Sequence, residues 1–303
     1  MADEMYIEKG TQYHSGNYIG ADDKGALYKG IVAFMIVDLR KNIPYIVKAS
    51  PEVTISGPWL ANEIEICISL LSNAGFNTRG VVTDNHSCNV NAFSILRKSY
   101  NSQPEENFIN HPANMSKIYL FYDCPHLVKN IRNNLLHAKR FVFPAFSHTI
   151  SDGENINVPV GYLSWGDLHN IHDENQKLPA NLRKAPKLSY KSLHPGNNKQ
   201  SVALAIFDPT TIVGARILFP EREDLACFLE LKLKWWTIIN ANSQYTPNKL
   251  GNAFTHGDGK PEFLKAFANY LADWSASSNF FCLTKQTSDA MIRTLRAQAQ
   301  EKK

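Results

Sequence analysis

Residues 117–136, KIYLFYDCPHLVKNIRNNLL, constrain the fold of this chain more than any other stretch. The run Ile118-Tyr119-Leu120-Phe121-Tyr122 has the length and β-rich composition of a buried strand. It stops at Asp123, and Pro125 cannot continue a ladder but can open a helix. Leu127, Ile131 and Leu135 then recur every fourth residue, as one face of a helix does. His126, Lys129, Arg132 and Asn133 fall at the complementary spacing and form a polar, basic face near the helix N-terminus, where anions bind readily. A strand, an acid, a proline and a basic helix in this order describe a phosphate-facing edge. The same face also fits a helix that simply meets solvent.

The upstream chain supplies partners for that strand. Met5 and Ile7 alternate with Glu4, Tyr6 and Glu8, the period of a half-buried strand. Glycines 16, 20 and 25 mark turns. Residues 31–37 read as a central strand and 44–47 as an edge strand, so the first 50 residues form an antiparallel meander. After Ser56-Gly57-Pro58 the pattern becomes helical, with Leu60, Ile64, Cys67 and Leu71 in one stripe and Gly75 at the expected C-cap. Val81-Val82-Thr83 is a short strand ending at Asp84, and a helix follows over 91–100. The order β-β-β-α-β-α-β-α predicts a mixed sheet whose helix-linked strands run parallel through right-handed crossovers.

From about Pro144 strand signals fade. Helices are predicted at 165–175, 199–218 with a break at Pro209, 222–242, 261–274 and 288–299. Residues 185–198, APKLSYKSLHPGNN, form a basic connection punctuated by Pro and Gly. The reading is thus an α/β half, residues 1–145, followed by an all-helical domain, residues 146–303.

Composition removes several classes. Apolar residues make up 44% and charged residues 20%, ordinary globular values. A net charge of +4 is too mild to argue for nucleic acid by itself. Five scattered cysteines without CxxC spacing fit a reducing compartment and give no zinc site. No signal peptide opens the chain, and no uninterrupted apolar run approaches the roughly 20 residues of a membrane span. Neither a GxxxxGK[ST] loop, nor GxGxxG, nor HExxH occurs. His169 and His172 share a helix face beside Asp173, and Trp235-Trp236 read as core rather than as a base-stacking platform.

Three acids stand at strand positions: Asp3 on the first strand, Asp84 ending the fourth and Asp123 ending the fifth. In a sheet of this order the first strand lies beside the fourth, which would bring Asp3 and Asp84 together. Paired carboxylates repel unless a cation neutralises them, and Mg²⁺ prefers such oxygen ligands. Acids at strand ends are also ordinary turn formers.

The segment Asp123-x-Pro125-His126-Leu127-x-Lys129-x-x-Arg132-Asn133 resembles the DxPHLxKxxRN motif of P-element-type transposases, the THAP-domain transposase family. Ala2-Asp3-Glu4-Met5 resembles that family's first RNase H-like strand. Val81-Val82-Thr83-Asp84 with Asn89 and Asn91 resembles the strand that carries its second catalytic acid. Ala185-Pro186-Lys187-Leu188, residues 201–205, Phe228, Trp235-Trp236 and Asn240 resemble the family's helical GTP-binding insertion, and residues 286–291 the segment where that insertion returns the chain. The resemblance spans essentially the whole sequence.

What it implies is an incomplete RNase H-like fold and a helical insertion domain, from an enzyme of cut-and-paste DNA transposition using Mg²⁺ and GTP. Asp3 and Asp84 would be catalytic and metal-binding, His126, Lys129 and Arg132 would meet DNA phosphate at transposon ends, and Lys187 would contact nucleotide. The location implied is nuclear, with no membrane partner. Four departures accompany this. The family's third acid, a Glu in QDxxExxFG, is absent, as are the THAP domain and any coiled coil, which leaves oligomeric state open. Thr237 stands where many relatives carry Asp after the paired aromatics. The expectation is a catalytically incomplete fragment or derivative of a transposase. The alternative is a domesticated or relic protein that binds DNA or nucleotide without cleaving.

Overall fold

The structure is a computed structural model that describes residues 2–6, 12–14, 17–22, 24, 26–37, 44–52, 54–103, 106–138, 140–150, 155–194, 199–240, 252, 257–276 and 283–301, with backbone alone before residue 20 and at residue 301. It divides into two compact units, Met1–Asp123 and Cys124–Lys303.

The first unit begins with β1 (Ala2–Tyr6), the short hairpin β2 (Gln12–His14) and β3 (Asn17–Ile19), then β4 (Gly30–Val37) and β5 (Pro44–Glu52). β4 pairs antiparallel with β1 on one side and β5 on the other, with Asp3 opposite Ala33. This is the expected meander, with the β2–β3 hairpin formed in a stretch whose glycines and asparagines read only as turns. Ile7 of the predicted first strand lies outside the described residues.

α1 (Gly57–Asn73) starts where Ser56 accepts a hydrogen bond from the Trp59 N–H, with Pro58 in the first turn, whose N–H positions lack helical partners. β6 (Gly80–Thr83), α2 (Ser87–Ser99), β7 (Phe108–Asn110) and β8 (Lys117–Tyr122) complete the unit. Of the α1 stripe, Leu60, Ile64 and Cys67 are buried and Leu71 is half-buried; Ile68 joins them, as do Phe93 and Leu96 of α2. The two helices approach so closely that a Cβ on Gly57 would stand 2.4 Å from Asn91 Nδ2, so only glycine fits there. β8 is the centre of a second sheet, parallel to β6 and antiparallel to β7. Sequence reasoning passed over β7 because three residues after a polar loop carry too little pattern. β1 runs close to β6, although no ladder joins them among the described residues.

The second unit begins with α3 (Cys124–His137), whose Leu127, Ile131 and Leu135 are buried as their spacing predicts. Four strands follow, β9 (Phe141–Phe143), β10 (Phe146–Thr149), β11 (Asn155–Val158) and β12 (Gly161–Leu163). They form two antiparallel ladders, β9 with β12 and β10 with β11. The region after residue 145 is therefore mainly helical, as expected, but not wholly so. Its strands are three or four residues long, too short for alternation to show in sequence. Their aromatic residues join the helical core: Phe143 stacks on Phe228 at 4.2 Å between ring centroids, and Phe141 meets Trp274 edge-on at 4.9 Å.

α4 (Trp165–Lys177), α5 (Tyr190–Leu193), α6 (Gln200–Ala205), α7 (Pro209–Leu218), α8 (Glu223–Ile239), α9 (Lys260–Ala276) and α10 (Lys285–Glu301) make up the rest. Ser164 and Asp167 close a capping box at the start of α4. By length and composition, Gln200–Leu218 could cross a membrane. Here Asp208 and Pro209 split it into α6 and α7, with Asp208 accepting from the Thr210 N–H at 2.9 Å. Trp235 is buried in the core, as its helical spacing implies.

Candidate metal and nucleic-acid site

Asp84 follows the last residue of β6. Parallel pairing of β6 with β8 sets Val81 opposite Leu120 and Thr83 opposite Tyr122, so Asp84 and Asp123 follow paired residues. The Asp123 N–H donates to the Thr83 carbonyl at 2.7 Å, which carries the ladder to that point. The C-terminal ends of parallel strands are where α/β sheets gather ligands.

The Asp84 carboxylate is positioned from one side only. Oδ1 accepts from the His86 N–H at 2.8 Å and from Asn89 Nδ2 at 2.6 Å. Oδ2 has no hydrogen-bond partner among the described residues, and the side chain is half-buried. One oxygen is thus fixed and the other left to accept a cation or a water. Asn89, in the first turn of α2, is the residue that composition alone could not identify as an orienting partner. Its signal is the spacing of five residues, which returns the first turn of α2 to the strand end.

Asp3 sits on β1, the strand that approaches β6, but its side chain lies outside the described residues. Asp123 is half-buried and engaged in further interactions. Among the described residues, no group of three or more His, Cys, Asp or Glu side chains is placed to hold a metal. Of the three acids, Asp84 is the one whose carboxylate is seen held from one side with an oxygen left over.

The basic helix divides by burial. Lys129 is half-buried and makes no hydrogen bond or ion pair among the described residues. His126 is half-buried and has partners of its own. Arg132 differs: only 1% of it is exposed. Its Nη2 donates to the carbonyls of Ser192 at 3.2 Å and His194 at 2.6 Å, its Nη1 to Asn133 Oδ1 at 3.1 Å, and its guanidinium stands 5.5 Å from the Trp165 ring. Burial lowers its affinity for its proton. The placement of Arg132 on a phosphate-facing surface does not match this geometry. Spacing of three and four residues put it between the two helix faces, and the carbonyls at the end of α5 drew it inward.

Lys187 is exposed and pairs with Asp208 at 2.9 Å. Burial alone would push the Asp208 carboxyl up, but hydrogen bonds from Thr210 and Lys187 outweigh it and hold it below the usual carboxylate range. The loop carrying Lys187 is fixed by Asn175, fully buried, whose Oδ1 accepts from the N–H groups of Lys184 at 2.7 Å and Ala185 at 2.9 Å. Thr237 lies within α8. His172 meets Asp173 at 3.0 Å and gathers no further acid or histidine into a metal group.

Comparison with known proteins agrees with this architecture. Residues 1–97 match the model of the TNP-like RNase H N-terminal domain. No curated protein matches the chain. The fold is similar to that in the structure described as the Drosophila P element transposase strand transfer complex, with a TM-score of 0.73 at 16% identity, covering 98% of this chain and 62% of that one. The chain therefore spans less than two thirds of that transposase chain. Its architecture is a mixed α/β, RNase H-like N-terminal domain followed by a mainly helical region, the architecture of that transposase.

Proposed function

We propose that this chain is a part or derivative of a P-element-like DNA transposase that binds DNA, places a divalent cation at Asp84, and is catalytically incomplete by itself. The observation that carries this reading is the half-committed Asp84 carboxylate at the end of β6, beside Asp123. Oxygen ligands at such a strand end suit Mg²⁺. Asp84, Asp3 and Asp123 are the residues that would hold it, and the ion would supply charge stabilisation for phosphodiester chemistry. Asn89 and the His86 N–H keep the Asp84 side chain in one orientation without consuming its second oxygen. Lys129 on α3, without a hydrogen bond or ion pair among the described residues, is a cation available to a phosphate, and His126 stands one turn before it.

Within the 303 residues no QDxxExxFG segment occurs, and no three-ligand group occurs among the described ones, so this stretch of chain taken alone is read as binding without cleaving. For GTP, the Lys187 ammonium is already engaged by Asp208, and Thr237 offers no charge, so nucleotide binding is weak or absent. Action on chromosomal DNA would place the protein in the nucleus.

The test is duplex DNA binding at graded salt. The wild-type chain should bind, and Lys129→Ala should lower the slope of log K against log salt by about one, the contribution of one phosphate contact. No binding to duplex DNA, or a Lys129 variant with an unchanged slope, would remove this reading of α3.

A further inference from the structure

From Asn175 to Phe207 the chain carries six cations, Lys177, Arg183, Lys184, Lys187, Lys191 and Lys199, and no Asp or Glu. The whole chain has an excess of only four positive charges, so everything outside this stretch is net acidic by two. Such segregation has a cost in self-repulsion that dispersed charges avoid. Two of the six are locally neutralised, Lys177 by Glu174 at 2.5 Å and Lys187 by Asp208. Arg183, Lys184 and Lys191 have no side-chain hydrogen bond or ion pair among the described residues, and Arg183 Nε is buried without an acceptor.

Between Lys184 and Lys191 stands Tyr190, 67% exposed, with the His194 ring 5.8 Å away. What marks this aromatic is its position among cations, in a stretch of chain without Asp or Glu. The frame is built: Asn175 grips the backbone at 184 and 185, and Arg132 grips the carbonyls of 192 and 194. The cations and the ring are thus displayed by backbone that two buried side chains fix at both ends.

We propose that the surface carrying Arg183, Lys184, Tyr190 and Lys191 binds unpaired nucleic acid, the cations meeting phosphates and Tyr190 stacking on a base. This rests on the DNA-binding reading above but assigns it a second, single-strand surface that does not use Lys129. An aromatic among unpaired cations suits unpaired bases, because a duplex hides its base faces within the stack. An anionic membrane could also attract the lysines but gives the exposed ring no flat partner.

The experiment measures anisotropy of fluorescein-labelled dT20 and of a labelled 20-base-pair hairpin duplex with the full chain. Variants are Arg183→Ala/Lys184→Ala/Lys191→Ala, Tyr190→Ala and Lys129→Ala, each checked for an unchanged thermal melt. The triple variant should lower the salt slope for dT20 by about two, three contacts at roughly 0.7 each. Tyr190→Ala should weaken dT20 about tenfold with its slope unchanged and leave the duplex unaffected. Lys129→Ala should alter duplex binding more than dT20 binding. Duplex binding without dT20 binding, or dT20 binding indifferent to the triple variant, overturns this inference and leaves the DNA-binding reading standing. No binding to either nucleic acid overturns both. Co-sedimentation with phosphatidylserine vesicles through the same three residues, without dT20 binding, overturns the nucleic-acid partner in favour of a membrane.

Discussion

The Asp123 N–H bonds the Thr83 carbonyl at 2.7 Å, so Asp84 and Asp123 leave neighbouring parallel strands at the same level. That single ladder bond makes Asp123 the residue beside Asp84 on the adjacent strand as well as the one that ends its own. Because the orientation of Asp84 depends on Asn89, Asn89→Ala should weaken divalent-cation binding by about 10- to 100-fold, as loss of an orienting partner does. Isothermal titration with Mn²⁺ checks this, and unchanged affinity would show that Asn89 only caps the turn.

Arg132 should behave as a structural residue. Arg132→Ala takes the guanidinium from the buried Ser192 carbonyl and the part-buried His194 carbonyl, at a cost on the order of 2 kcal/mol. Arg132→Lys should recover little, since one ammonium cannot reproduce the guanidinium fork. Chemical denaturation measures both. An Arg132→Ala protein of native stability with a reduced DNA salt slope would restore the sequence-based assignment to phosphate.

Lys232 introduces a pH dependence. It is fully buried on α8, its Nζ lies 5.1 Å from the Phe228 centroid and 4.8 Å from that of Phe267, and it has no hydrogen-bond partner among the described residues. Burial brings its pKa down from 10.5 to about 7. Between about pH 7 and 10.5 the unfolded chain holds this proton more tightly than the folded one, so stability rises with pH through that window and is level below it. Lys232→Met should remove the slope and stabilise the protein at pH 7 by up to roughly 4 kcal/mol, given about 1.4 kcal/mol per pKa unit. Thermal melts across pH 6.5–10 test it, and an identical slope in the variant would contradict it.

How far the sequence could be read follows from particular residues. Leu127, Ile131 and Leu135 announce α3 because a four-residue repeat over three turns has few other solutions. β4, β6 and β8 are equally legible as apolar runs. β9 to β12 are not, since a strand such as Phe141–Phe143 is defined by the partner it finds at Gly161–Leu163. For the site, Asp84 is visible as an acid ending a strand. Its orientation by Asn89 and its in-register neighbour Asp123 depend on parallel pairing between residues 39 positions apart, which local pattern does not encode. For Arg132 a helix wheel gives the direction of the side chain but not what stands opposite, here the end of α5.

Cleavage should be absent. Two-metal phosphodiester hydrolysis needs enough carboxylate to hold both ions, and no group of three such ligands is gathered among the described residues. Loss of one metal's contribution amounts to about three orders of magnitude in rate. A supercoiled-plasmid assay in Mg²⁺ or Mn²⁺ should show no nicking above background. Nicking abolished by Asp84→Ala would demand a further acid and overturn the incomplete-site account.

The most direct measurement of the central claim is a Mn²⁺ titration followed by electron paramagnetic resonance, in which bound ions lose the free-ion signal. The account predicts saturable binding of one Mn²⁺ by the full chain, displaced by excess Mg²⁺ and lost in Asp84→Asn, with native melting retained in the variant. Mn²⁺ binding that survives Asp84→Asn unchanged, or no binding by the wild-type chain, would contradict it.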